Sequence, residues 1–185
     1  MKRVILLIIV LLIIAPLGCR KLKSLANINI NIPYSTQVTV PAYGGEGVPI
    51  PFGGYSATIG PVALTTNSSQ YMAQYHTDAD NILHVKLKSL SLSVLNPASE
   101  SIDFIDTVRI YISAPGQPEL LAAYRYGRAT GQDSVALVCN DYNLKNYFLS
   151  DVMYIKLNGH FNRVPASGTT LGIYSVFNML ANPLY

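Results

Sequence analysis

Apolar and polar residues alternate along most of this chain, and the alternation predicts β-strands. Residues 27–32 repeat Asn-Ile three times, which predicts a half-buried strand that turns its isoleucines inward and stops at Pro33. Residues 37–40 repeat the pattern after a short turn. This region is therefore predicted to be extended, with one face against a core.

The alternation changes phase in the strand that follows His84. Val85 and Leu87 share one face, whereas Leu90 and Leu92 share a face that is offset by one residue. Because strand side chains alternate with a period of two, the change across residues 88–89 predicts a bulge or a crossing between two sheets.

Five further segments alternate in the same way: residues 108–113, 120–125, 134–139, 152–161 and 169–181. The first two are predicted to pair as a hairpin across the turn at 114–118, and the last two as a long hairpin across 163–168. The count is six to eight strands joined mostly by short turns. Strands in sequence without alternating helices favour antiparallel pairing, so the prediction is an all-β, antiparallel two-sheet sandwich.

Helical signals are short. Residues 68–79 are the best candidate, since Ser68 or Ser69 can cap and Tyr71 and Tyr75 recur at helical spacing. A further helical turn is predicted at 78–83 and another at 144–148. The fold is predicted to keep one or two short helices from these candidates, covering an end or an edge of a sheet.

Residues 41–61 form a Gly/Pro/Tyr-rich segment that is predicted to be a long loop. Its glycines and prolines exclude helix and interrupt sheet, leaving short extended pieces at 48–52 and 55–59. Tyr43, Phe52 and Tyr55 lie between these breakers. Aromatic residues are enriched at binding hot spots, so these three are the candidate partner-binding residues; the alternative is a cover over a sheet edge.

The segment before the strands has the layout of a secretory signal. A basic start is followed by an apolar run from Val4 to Ile14, shorter than the ~20 residues that span a bilayer. Leu17-Gly18-Cys19 after this run resembles the end of a bacterial lipoprotein signal, although Pro16 stands where the usual motif has Leu. An ordinary secretory signal and an uncleaved anchor helix remain alternatives.

The lipoprotein resemblance implies a signal peptide at 1–18, lipid on Cys19, a tether at 19–26 and one domain at 27–185. Acyl chains on Cys19 would hold the protein on a membrane. Arg20 is not the aspartate that retains enteric lipoproteins in the inner membrane, so the implied location is the outer membrane, facing the periplasm. Arg20, Lys21 and Lys23 suit a tether near anionic headgroups.

Charge argues against nucleic acid. Of the thirteen basic residues two lie in the signal, which leaves eleven against ten acidic residues, without a clustered stripe beyond the tether. The chain has two cysteines, so lipid on Cys19 leaves Cys139 alone and excludes an intrachain disulfide. Cys139 is predicted to be a small buried hydrophobe.

Residues 87–98, with Phe104-Ile105 and the strand at 108–112, resemble small Gram-negative lipoproteins with immunoglobulin-like sandwiches. A strand that runs into Asn96-Pro97 is also similar to late-embryogenesis-abundant type 2 domains. The resemblance spans about residues 84–180 and implies an immunoglobulin-like sandwich. It implies no catalytic residue.

Motifs for chemistry are weak. His76, His84 and His160 lie on three different predicted elements, and Asp78 and Asp80 lack the glycine and glutamate of a calcium-binding loop. Glu100, Asp103 and Asp106 fall in a polar turn, where carboxylates are usually solvated. No enzyme, metal or cofactor is predicted.

The sequence therefore predicts a non-enzymatic, lipid-anchored envelope protein that acts as a binding or accessory subunit at the outer membrane, with an envelope protein as its partner. The alternative is a periplasmic carrier or binder of an apolar ligand, with acyl chains held between the sheets. An enzyme whose site is assembled from distant residues is the third hypothesis.

Overall fold

The computed structural model describes residues 27–41, 43, 51–128 and 133–182. Signal, lipidation and tether predictions, and most of the predicted piece at 48–52, lie outside these residues. The described part contains nine strands, two short α-helices and a 3-10 turn at Ile102–Phe104. In chain order they are β1 (Ile28–Thr39), β2 (Tyr55–Thr65), α1 (Ser68–Gln74), β3 (Ile82–Asn96), β4 (Ile105–Ala114), β5 (Gln117–Tyr126), β6 (Ser134–Ala136), β7 (Val138–Cys139), α2 (Lys145–Phe148), β8 (Val152–Phe161) and β9 (Thr170–Ala181).

The strands form two antiparallel sheets that pack face to face. The four-stranded sheet has the order β1-β9-β3-β6, and the five-stranded sheet has the order β2-β8-β4-β5-β7. Inward positions of both sheets meet in one core, whose largest fully buried side chains include Phe104, Phe148, Phe161 and Phe177. The predicted antiparallel two-sheet sandwich with short helices is confirmed.

Strand β1 does not stop at Pro33, which corrects the sequence prediction. Its even-numbered residues are inward and its pairing with β9 continues from Ile28 to Thr39. The amide of Val40 donates to the carbonyl of Thr169 (2.9 Å), so even-numbered residues make the ladder bonds and Pro33 faces away from β9. An edge strand therefore accommodates this proline without losing a ladder bond.

Strand β3 carries the predicted bulge. Its register against β9 shifts between Leu87 and Ser89, where the inward positions change phase. β3 stays in one sheet, so the bulge interpretation is confirmed. The crossing between sheets lies at Leu137 instead, where the predicted strand 134–139 divides into β6 on β3 and β7 on β5.

The predicted terminal hairpin is wrong, although both of its strands exist. β8 pairs with β2 and β4, whereas β9 pairs with β1 and β3, so residues 163–169 arch from one sheet to the other. Alternation shows which side chains point inward, but it does not reveal which strand lies alongside. The predicted β4–β5 hairpin is confirmed.

The helices are shorter than predicted. α1 begins after Asn67, which is left-handed (φ 52°) and makes no side-chain cap, so neither serine caps it. His76 is also left-handed (φ 50°) and ends the helical path, and β3 starts at Ile82 in place of the second predicted turn. The helical turn near 144–148 is confirmed as α2. In the described part, no helix has the length and apolar character needed to cross a membrane.

Buried hydrogen bonds beside α1, called the polar staple below, link the strand β1 of one sheet to the end of β2 in the other. The Tyr34 hydroxyl of β1 donates to the carbonyl of Thr66, just after β2, and its ring packs edge-on against Phe177. Burial raises the pKa of Tyr34, so the phenol stays protonated and able to donate. Thr66 is fully buried, and its hydroxyl donates to the carbonyl of Ser150 (2.6 Å).

Tyr34→Phe is expected to lower the free energy of unfolding by ~1–2 kcal/mol, because the buried Thr66 carbonyl loses its donor. Urea unfolding measures the difference. Tyr174→Phe is the matched control, since Tyr174 is half exposed on the outer face of the same sheet. Equal stabilities of the two variants would contradict the staple.

Candidate functional site

The three aromatic residues predicted to bind a partner have different surroundings. Phe52 is fully exposed, Tyr55 is buried (7% exposed), and Tyr43 is half-buried against Tyr55 with 4.6 Å between ring centroids. Tyr55 packs on Phe161, which packs on Phe104. Tyr55 therefore belongs to the core, and of the three it is Phe52 that presents its whole ring to solvent.

A groove on the outer face of the five-stranded sheet brings together residues that the sequence analysis did not combine. It crosses β2, β8 and β4 and has a volume of about 240 Å³. In one row across the strands Ser56 pairs with His160 and His160 with Thr107; in the next, Thr58 pairs with Asn158 and Asn158 with Arg109. These six residues are called the outer groove below.

His160 is fixed at one end of the outer groove. Its Nε2 lies 2.8 Å from the carbonyl oxygen of Gly53 and its Nδ1 lies 3.1 Å from the Ser56 hydroxyl. A carbonyl oxygen only accepts, so Nε2 carries a proton and donates it to Gly53. The second ring nitrogen and the Ser56 hydroxyl share the other hydrogen bond.

Asn158 forms the floor of the outer groove. Its side-chain oxygen is buried and, within the described part of the chain, has no hydrogen-bond partner. Three other buried polar atoms share that state, in Tyr55, Thr77 and Arg125. Arg125 lines a recess of about 10 Å³, room for about one water molecule. Asn158 lines the larger outer groove, but its side-chain oxygen is covered by protein and is not open to that space.

Aromatic and charged side chains continue the surface beyond Arg109. The guanidinium lies 5.6 Å from the ring centroid of Tyr126, which packs against Tyr124 at 5.2 Å. A hydrogen bond with Tyr126 raises the pKa of Arg109, so its charge is permanent. Further along, Lys156 lies over Tyr111 and pairs with Glu119 (2.6 Å). Beyond the outer groove, the same face of the sheet therefore carries tyrosine rings and the Lys156–Glu119 ion pair.

The groove's chemistry is that of hydrogen-bond recognition. Arg109 donates, and the hydroxyls of Thr58 and Thr107 can donate or accept. The Ser56–His160 pair has the hydrogen bond that an activated nucleophile needs. However, both side chains lie in an open groove, whereas acyl transfer relies on oxyanion donors in a water-excluded site.

Two of the three carboxylates predicted to be solvated, Glu100 and Asp103, instead form an ion-pair network at the arch between β8 and β9. Arg163 donates to Glu100 at 2.5 Å and to Asp103 at 2.6 Å, and the Glu100 side chain is only 7% exposed. Hydrogen bonds from Ser101 and Arg163 lower the pKa of Asp103 to about 2, and the bond from Arg163 lowers that of Glu100. The network joins the segment before β4 to the segment after β8.

The remaining candidates have local roles. Asp78 accepts from the backbone amide of Asn81 (3.0 Å), which stabilises the turn before β3; no helix begins there, so the predicted capping of a helix is wrong. Cys139 is half-buried, and burial raises the pKa of its thiol, which keeps it in the less reactive protonated form. Among the described residues, no three His, Cys, Asp or Glu side chains are grouped to hold a metal ion.

Comparisons with known proteins add little. No protein-family model and no curated protein matches the chain. Among solved structures, Desmodium yellow mottle tymovirus is similar at 13% identity over 85% of this chain and 91% of that one, with a TM-score of 0.25. Turnip yellow mosaic virus is similar at 14% identity over 85% and 82%, with a TM-score of 0.29. Likeness at these scores carries no argument about this chain.

The outer groove had one signal in the sequence. In residues 154–160 of β8, Asn158 and His160 stand at outward positions of an alternating strand, where either could serve solvation alone. The register of β8 against its neighbours sets both residues between polar residues of β2 and β4. The sequence of one strand does not reveal that register.

Proposed function

We propose that this chain is a non-enzymatic binding module, anchored by lipid on Cys19 at the outer membrane and facing the periplasm, which holds an envelope partner in its outer groove. The anchor rests on the resemblance of the first nineteen residues to a lipoprotein signal. The groove supplies the binding half of the proposal.

The hydrogen-bonding side chains that line the outer groove carry the proposal. Arg109 supplies donors, and the hydroxyls of Thr58 and Thr107 can donate or accept. A bound partner with polar groups of its own would pair with these side chains, which supports the groove as the point of contact.

An apolar-ligand carrier finds less support. The space between the two sheets of the described part is filled by close-packed side chains, among them Phe148, Phe177 and Leu92. The outer groove offers polar groups, which suit an acyl chain poorly. The Gly/Pro/Tyr-rich loop is the second candidate surface for partner binding, because the ring of Phe52 is fully exposed.

Site-specific photo-crosslinking in intact cells tests the proposal. A benzophenone amino acid is placed at Thr58 in the groove, at Phe52 in the loop, or at Thr65. Thr65 is the control because it is an exposed outward residue at the far end of β2. We expect an adduct from Thr58 but not from Thr65, and loss of that adduct in a Cys19→Ala background that no longer carries the acyl mass.

Each other outcome is informative. An adduct from Phe52 without one from Thr58 would move the binding surface to the loop. An adduct from Thr58 that persists with Cys19 unmodified would remove the lipid anchor from the proposal. Equal labelling at Thr58 and Thr65 would contradict a specific groove.

A further inference from the structure

We propose that Pro33 keeps the outer edge of β1 from pairing with a second copy of this chain. A free sheet edge presents unpaired N–H and C=O groups and is a template for another strand, so folded proteins protect their edges against such pairing. In the described part, β1 is a long edge that is protected at one position.

The first step is a comparison of the sheet edges. β1 and β6 are the edges of the four-stranded sheet, and β2 and β7 are those of the five-stranded sheet. β6 and β7 have three and two residues, which is too short to hold a partner strand. β2 is long, but its register breaks between Ile59 and Val62. β1 pairs with β9 over twelve residues without a shift, so it is the long and regular edge of the described part.

The second step is the direction of the backbone groups of β1. Its even-numbered residues bond to β9, so the N–H and C=O groups of its odd-numbered residues point away from the sheet. Asn31, Ser35 and Gln37 carry such groups, and all three residues are exposed. Among the described strands only β9 pairs with β1, so these groups are open to a strand that comes alongside.

The third step is the lack of charge on β1. Its sequence is ININIPYSTQVT, without an acidic or basic residue, although charged side chains are a common protection of edge strands. Lys88 of β3 contacts the Asn31 side chain (3.4 Å) across the outer face of the sheet, so its charge lies above the sheet and not beside the edge. Antiparallel pairing of β1 with a second β1 would therefore meet no repulsion between charges on the two strands.

Pro33 supplies the protection that charge does not. It is exposed, it faces away from β9, and it stands near the middle of the strand. Proline has no N–H, and its ring occupies the place where a neighbouring strand would approach. A strand laid along the edge would lose a ladder bond at Pro33 and would be held off there. Because both copies carry Pro33, pairing of β1 with itself is opposed from both sides.

The test restores the N–H at position 33 with and without a charge. Pro33→Val gives an uncharged edge with every donor, whereas Pro33→Lys gives every donor and places a charge on the edge strand. The full-length chain is kept in detergent micelles, and light scattering with absorbance and refractive-index detection separates protein mass from detergent mass. We expect one chain per particle for wild type and Pro33→Lys. Pro33→Val should average ~1.5 chains or more at ~100 µM, since a dimer with a Kd of that order is then about half formed.

Hydrogen exchange, followed residue by residue by NMR, shows where the copies meet. In wild type the amides of Asn31 and Ser35 point away from β9 and should exchange fast. Pairing through this edge should slow both amides about twofold or more in Pro33→Val, in proportion to the paired fraction, and leave them unchanged in Pro33→Lys. Urea midpoints of both variants should stay close to that of wild type, because Pro33 is exposed and gives β9 no ladder bond. Pro33→Thr is a second uncharged variant with the same expected results.

The inference is overturned if both uncharged variants stay at one chain per particle, or if wild type already forms the same dimer, since the proline would then prevent nothing. Association without slower exchange at Asn31 and Ser35 would put the contact elsewhere and would also overturn it. Equal association of Pro33→Lys and Pro33→Val would show that loss of the proline, and not an uncharged edge, brings the copies together.

Discussion

Truncating Phe161 to alanine is expected to lower the free energy of unfolding by about 3–5 kcal/mol, the cost typical of emptying a large aromatic site in a core. Phe161 is fully buried, and its ring contacts Tyr55 (5.2 Å between centroids) and Phe104 (5.9 Å). It also folds back over Gly159, where an added Cβ would lie 2.5 Å from the ring. Chemical denaturation measures the loss.

Phe52→Ala is the matched control for this change. It removes the same side chain from a fully exposed position shortly before β2, the strand whose Tyr55 lies opposite Phe161, so the expected cost is within ~0.5 kcal/mol. A Phe161→Ala variant as stable as Phe52→Ala would contradict the packing described for the core. Phe52→Ala also tests the loop as a binding surface. Because this variant is expected to keep its fold, a loss of partner binding in it would report on the exposed ring.

The second large effect is expected at Arg163. Replacing it with alanine leaves Glu100, whose side chain is 7% exposed, without its cation, and removes one partner from Asp103. Breaking a buried pair costs ~3–5 kcal/mol and breaking an exposed pair ~0–1 kcal/mol. Arg163 is 39% exposed, so a cost of about 2 kcal/mol at pH 7 is expected between these limits.

The pH dependence of that cost follows from the lowered pKa of both carboxyls. The Asp103 pKa is about 2 in the folded protein against 3.8 for the free side chain, so its contribution is complete above pH 3.8 and is lost as the pH falls toward 2. Glu100 shifts in the same direction. Urea unfolding of wild type and Arg163→Ala should therefore differ most near neutrality and converge on acidification.

Arg128→Ala is the control for this series. Arg128 pairs with the same Asp103 but at 3.3 Å and with a half-exposed side chain, so its removal is expected to cost less than ~0.5 kcal/mol. A constant difference between wild type and Arg163→Ala from neutral to acid pH would show that the arginine acts through its contact with Phe104 and not through its charge.

The outer groove illustrates how a site can escape sequence reasoning. Its residues are Ser, Thr, Asn, His and Arg at outward strand positions, where solvation alone explains each of them. In the Gly/Pro/Tyr-rich loop, tyrosine and phenylalanine between glycines and prolines predict an interface. Tyr55 lies in the core instead, since it begins β2 at an inward position opposite Phe161.

The sequence by itself determined the fold class, the inward face of most strands and the change of phase in β3, because these depend on local alternation with a period of two. Tertiary structure alone decided which strands are neighbours: that β8 and β9 belong to different sheets, that the chain crosses at Leu137, and that Pro33 sits on an outer edge. Pairing depends on burial and hydrogen bonds between residues far apart in the chain. The outer groove is a product of that pairing, since Thr58, Asn158 and Arg109 meet only through the register of three strands.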